Sequence, residues 1–135
     1  MKTTRTTFLI IALSFFNTIL ANDTTKVKLN PGAYYAINSE TAKDCKKIDE
    51  VVNIISDAIG IGAPTYNLGN HIGCYLIYEG AAYKILHLYG DKCKTLKNIL
   101  EEALNKSYGD YTDTDKAWIM RMAFDEILGE PTRTN

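Results

Sequence analysis

The stretch Asn70-NHIGCYLIYEGAAYKI-Ile85 decides the fold. It reads as a helix, yet its interior holds Gly73, Cys74 and Gly80, and glycine inside a helix costs about 1 kcal/mol against alanine. Apolar residues lie on more than one side of it, as expected of the central and most buried helix of a small bundle. Gly73 and Gly80 are seven apart, nearly two turns, so both fall on one strip of the surface. A strip of that kind lets a second helix approach closely, and the packing gained offsets the local cost. These two glycines are therefore expected at a helix crossing, with Cys74 beside them placed to fasten the neighbour.

Outward from this stretch the chain divides into further helical segments. Before it, Ala42, Cys45, Ile48, Val52, Ile55 and Ile59 recur every three or four residues from a start near Ser39. GIGAP, 60–64, is expected to end that helix. After the central segment, which runs to about Tyr89, Thr95 is the expected cap of a helix carrying Leu96, Ile99, Leu100, Ala103 and Leu104. Asp113 or Asp115 is then the expected cap of a last helix, with Ala117, Met120, Phe124, Ile127 and Leu128 inward and Gly129 as C-cap. The sequence predicts an all-α fold, a small four-helix domain over 39–129. Residues 22–38 form an extended lead-in with a turn at Asn30, Pro31 and Gly32, and residues 130–135 form a tail.

The first 21 residues have another character. Lys2 and Arg5 precede the apolar run FLIIALSFFNTILA, 8–21, and polar NDTTK follows. A basic start, a short apolar core and a small residue at the end are the parts of a secretory signal peptide, and the run is too short and interrupted to span a bilayer comfortably. Cleavage after Ala21 would remove two of 15 basic and none of 16 acidic residues, leaving a net charge of −3. A scattered, slightly acidic charge pattern does not suit nucleic acid. The product is expected to be periplasmic or secreted, with no membrane span after cleavage.

No catalytic residue, cofactor or metal site is expected. His71 and Cys74 share a helix face, but a structural zinc site wants about four ligands in short paired spacings, and His87 lies about 160° round the helix from His71. Cys74 sits in the most apolar segment, where burial deadens a thiol. No HExxH, GxSxG or phosphate loop is present. The acidic, aromatic segment YGDYTDTD, 108–115, is the candidate recognition loop. Its Tyr108, Asp110, Tyr111 and Asp113 offer rigid contact area beside charge. A capped turn with incidental tyrosines is the plainer reading of the same residues. A homodimer is a further option.

In an exported domain with Cys45, Cys74 and Cys93, two cysteines are expected to pair. If the first two helices form an antiparallel hairpin turning near Gly62, Cys45 lies about 17 residues before the turn and Cys74 about 12 after it. At 1.5 Å per residue the mismatch is about 8 Å, beyond the Cα separation of about 7 Å that a disulfide tolerates. Cys93 would sit closer, and a kink or long loop would reverse this, so residue spacing leaves the pairing open.

Cys45, then Cys74 with Gly80 after five intervening residues, then Cys93 leading into KTLKNILEEAL, followed by DKAWIMRMAFDEIL, resembles a known group over about residues 36–128. These are the periplasmic immunity proteins that neutralise peptidoglycan amidases delivered by type VI secretion. The resemblance implies a non-enzymatic protein that occludes the effector's active site, and a Cys45–Cys74 bridge that orphans Cys93. Departures are Ile77 where the family usually has an aromatic, Lys94 and Thr95 where a proline is common, and no fourth cysteine. The alternative is a periplasmic acid-stress chaperone or another small secreted helical binding protein.

Overall fold

The computed structural model describes residues 26–29 and 33–131, with side-chain environments from residue 37. The signal peptide expected at 1–21, the 30–32 turn and most of the tail lie outside the described residues. Two short strands, β1 (Lys26–Leu29) and β2 (Ala33–Ala36), pair antiparallel, with Lys26 opposite Ala36 and Leu29 opposite Ala33. Part of the extended lead-in is thus a hairpin. Five helices follow: α1 (Ser39–Asp44), α2 (Ile48–Asn67), α3 (His71–Tyr89), α4 (Lys94–Ser107) and α5 (Asp113–Leu128). A single 3-10 turn, Gly90–Lys92, links α3 to α4. The domain is all-α apart from the hairpin, with four long helices.

The central position expected of α3 is observed, for it packs against α2, α4 and α5. Val51, Val52 and Ile55 of α2 meet Tyr78, Ala82 and Ile85 of α3, and Leu96, Leu100, Met120, Phe124, Ile127 and Leu128 close the core. The ring of Tyr78 meets that of Phe124 edge to face at 5.5 Å.

Several boundaries differ from the expectations. The stripe from Ala42 to Ile59 belongs to two helices, because Cys45 is extended and separates α1 from α2. GIGAP does not end α2, which runs through Pro64 to Asn67. Proline inside a helix costs about 3 kcal/mol, and here the burial of Val52, Ile55, Ala58 and Gly62 on the opposite side offsets it. The chain turns instead at Gly69, whose φ of +84° is left-handed, with its N–H donating to the Tyr66 carbonyl at 2.8 Å. Asn70 then caps α3 by accepting from the Gly73 N–H at 2.9 Å.

Caps differ too. Thr112, rather than Asp113 or Asp115, is the N-cap of α5, in a reciprocal capping box with Asp115. At α4 the cap position is Cys93, whose side chain is committed elsewhere, and the Thr95 N–H donates to the Asp44 carboxylate at 2.8 Å. An α1 residue 51 positions earlier therefore satisfies the start of α4.

Cys45 pairs with Cys93, with Cα atoms 4.6 Å apart, and Cys74 is buried outside any disulfide. This corrects the Cys45–Cys74 bridge implied by the resemblance. The reason is the turn: Cys45 and Cys93 each lie 24 residues from Gly69, so an antiparallel helix pair brings them level.

The helix-crossing role expected of Gly73 and Gly80 is also corrected. Gly80 is exposed, and a Cβ there would meet nothing within 4 Å. A Cβ at Gly73 would press on the capping side chain of its own helix, Asn70. The close approach belongs to Gly62 of α2, buried against the ring of Tyr78, where a Cβ would overlap the ring. Gly73 makes room for a cap, and Gly62 makes room for a neighbour.

Candidate functional site

The α4–α5 loop and the α3 helix share one surface. Tyr108 ends α4, and its hydroxyl donates to Glu79 of α3 at 3.1 Å and bonds the hydroxyl of Tyr83. Glu79 also accepts from Tyr75, whose hydroxyl lies 3.3 Å from the buried Ser107 Oγ. A single carboxylate thus ties two turns of α3 to the end of α4. The Tyr83 hydroxyl, then burial and the Glu79 charge, raise the Tyr108 pKa above the ordinary phenol range. The tyrosine stays a neutral donor at any physiological pH.

Tyr111 turns the other way. It lines a shallow groove between α4 and α5 with Lys106, Asp115, Trp118 and Met122. A side chain at Gly109 would collide with its ring, at 2.9 Å. Asp110 and Asp113 are exposed. The four loop residues singled out in the sequence are therefore accessible but do not converge: Tyr108 joins α3, while Tyr111 belongs to α5.

What sequence reading missed is the outer face of α3. Ile72, Leu76 and Tyr83 are 43%, 54% and 49% exposed, and their spacings of four and seven place them on one stripe with Glu79. Tyr108, 55% exposed, extends it. Large apolar side chains are normally scattered singly over a surface; a row of them marks contact. Gly80 lies at the edge of this row, leaving backbone accessible. The signal was present in the apolar character of α3 on more than one side.

On the opposite side of α3, at the α2–α3 turn, is a cavity of about 230 Å³ lined by Tyr66, Asn67, Cys74, Tyr78, Trp118 and Arg121, among others. Tyr66 stacks on His71 with centroids 4.3 Å apart and accepts from Trp118 Nε1 at 3.0 Å. His71 Nδ1 lies 2.7 Å from Thr114 Oγ1. Burial pushes the Cys74 thiol up and holds it protonated. Burial, with Cys74 beside it, pushes Tyr78 up to about 12. Burial pulls the Arg121 guanidinium down, but its bond to Asp125 at 2.8 Å more than restores it. His71 and Cys74 thus take separate partners. Among the described residues no group of three or more His, Cys, Asp or Glu could hold a metal, and no helix is long and apolar enough to cross a membrane.

At the other end of the bundle, Lys47 pairs with Glu50 at 2.6 Å, and Tyr89 donates to Glu50 at the same distance, beside the disulfide. The Cys45–Cys93 pairing fits an oxidising compartment. Comparison of the chain with protein-family models, curated proteins and solved structures finds no match in any of the three.

Proposed function

We propose that the chain is an exported binding protein that acts without catalysis, occluding the active-site cleft of a cell-wall amidase in the manner of the immunity proteins it resembles. The observation that carries this reading is the exposed row Ile72, Leu76, Tyr83 and Tyr108, whose two tyrosines bond each other and, through Tyr108, Glu79. A large apolar and aromatic area with fixed geometry is what the centre of a protein interface needs. Asp110 beside it supplies charge toward a basic cleft, in keeping with the −3 expected of the exported form. The disulfide supports export into the periplasm or beyond. For the absence of catalysis, the support is Cys74: its thiol is buried and protonated, and the neighbouring His71 is engaged by Thr114 and Tyr66.

The test is a pull-down from periplasmic extract with mass spectrometry, comparing the chain with Leu76→Glu and with Tyr111→Ala/Asp113→Ala. One stoichiometric cell-wall hydrolase, lost with Leu76→Glu and retained by the double variant, is expected. Loss only with the double variant would move the interface to the α5 side of the loop. A broad set of clients captured mainly after acid treatment would overturn the reading in favour of a chaperone.

A further inference from the structure

We propose that the cavity between the end of α2, α3 and α5 binds a small planar aromatic carboxylate. Its walls are aromatic and already fixed. Tyr66 is clamped between His71 at 4.3 Å and Trp118, whose Nε1 donates to it at 3.0 Å, and Tyr78 is wedged against Phe124. Ligand sites are built this way, apolar and largely pre-formed with a few polar groups that fix orientation.

The polar group here is Arg121. Guanidinium carries five N–H donors, and the bond to Asp125 uses Nε. The Nη donors remain for the Tyr78 hydroxyl and a ligand carboxylate, the partner that the planar fork fits best. Asp125, itself buried, holds the guanidinium in place. Neither Cys74 nor Tyr78 competes as an anion, since burial keeps both protonated. A cationic ligand would meet Arg121 and is disfavoured.

Size narrows the class further. An apolar cavity of about 150 Å³ holds benzene, so about 230 Å³ admits one ring and a carboxylate. Nucleotides and most cofactors need the larger pockets, from about 300 Å³ upward. The cavity lies across α3 from the exposed row of Ile72, Leu76 and Tyr83, so the two surfaces do not overlap.

Trp118 is the chain's one tryptophan, which makes its fluorescence a reporter of this site. Titration of the full chain with benzoate is expected to change that emission saturably, and benzylamine and benzyl alcohol are expected to do so at least about tenfold more weakly. Arg121→Gln/Asp125→Asn, which leaves no orphaned buried carboxylate, should abolish the preference for benzoate. Ala63→Leu, a substitution at the half-buried rim, should fill the cavity and remove binding with the fold retained by circular dichroism. Equal responses to all three probes, no response to benzoate, or unchanged benzoate binding by a folded Ala63→Leu variant would overturn the proposal.

Discussion

The two ends of the bundle are held by different chemistry. At one, the Cys45–Cys93 bond, the Asp44 carboxylate on the Thr95 N–H and the Glu50 contacts to Lys47 and Tyr89 close the start of α2 and α4 onto the end of α3. At the other, the turn at Gly69 is backed by the Tyr66, His71 and Trp118 rings, with a cavity beneath them. The bonded end is closed by covalent and charged contacts around a groove whose lining includes Asp44, Lys47, Tyr89 and Cys93. The aromatic end trades that closure for accessible rings and a guanidinium, and it carries the candidate cavity and the start of the exposed row. The covalent staple thus sits at one end of the helices and the ring-lined cavity at the other.

The largest test of this contrast is removal of the staple. A bridge closing 48 residues is worth about 4 kcal/mol in the chain-entropy estimate. Cys45→Ser/Cys93→Ser should therefore melt well below the oxidised parent, as should the parent in reductant, with the aromatic end folded in what remains below the transition. Coincident melts would show that the bonded end is not what holds the domain.

Alkaline pH probes the core beneath the other end. Tyr78 keeps its proton in the folded chain up to about pH 12, whereas an unfolded tyrosine loses it near 10. The unfolded state then binds fewer protons, so stability is full below about pH 10 and falls as pH rises toward 12. Tyr78→Phe should flatten that fall in denaturant titrations; an equally steep loss in the variant would place its origin elsewhere.

Smaller effects separate the glycines. Gly62→Ala forces a Cβ into the Tyr78 ring and should cost up to about 2 kcal/mol, the overpacking penalty less the helix propensity gained. Gly80→Ala meets open space and should raise stability by up to about 1 kcal/mol. Urea midpoints of the two variants moving in the same direction would break the distinction between a buried contact and an exposed notch.

Helix content, the central place of α3 and the inward residues of α4 and α5 were legible because period-3.6 patterning reports burial directly. Gly129, at φ +70°, closes α5 as read. The turn was misplaced because GIGAP carries the stronger local breakers, while Leu68-Gly69-Asn70 carries the positive φ and the cap that matter. The Cys45–Cys74 bridge came from the resemblance, since spacing about a turn at Gly62 left the pairing open; with the turn at Gly69 the same helix-rise arithmetic excludes Cys74 and brings Cys93 level with Cys45. For the candidate site, Tyr108 was singled out by its loop, but Leu76 and Tyr83 were hidden in a helix read as apolar on more than one side. Periodicity cannot reveal which side of such a helix its neighbours leave bare. Asp44 capping α4 and Tyr66 facing Trp118 are contacts between distant positions with no local trace.

One backbone contact has a practical consequence. The Asn38 N–H donates to the Ile127 carbonyl at 3.3 Å, so the polypeptide enters and leaves the helical body side by side, at the stapled end. A fluorescent fusion, a surface linker or a membrane tether attached at either point would hang from that end and leave the ring-lined end facing outward. The body can also be re-cut: joining residues 38 and 129 by a short linker and opening the chain at the exposed Leu68 would give a circular permutant with its new ends on the recognition side.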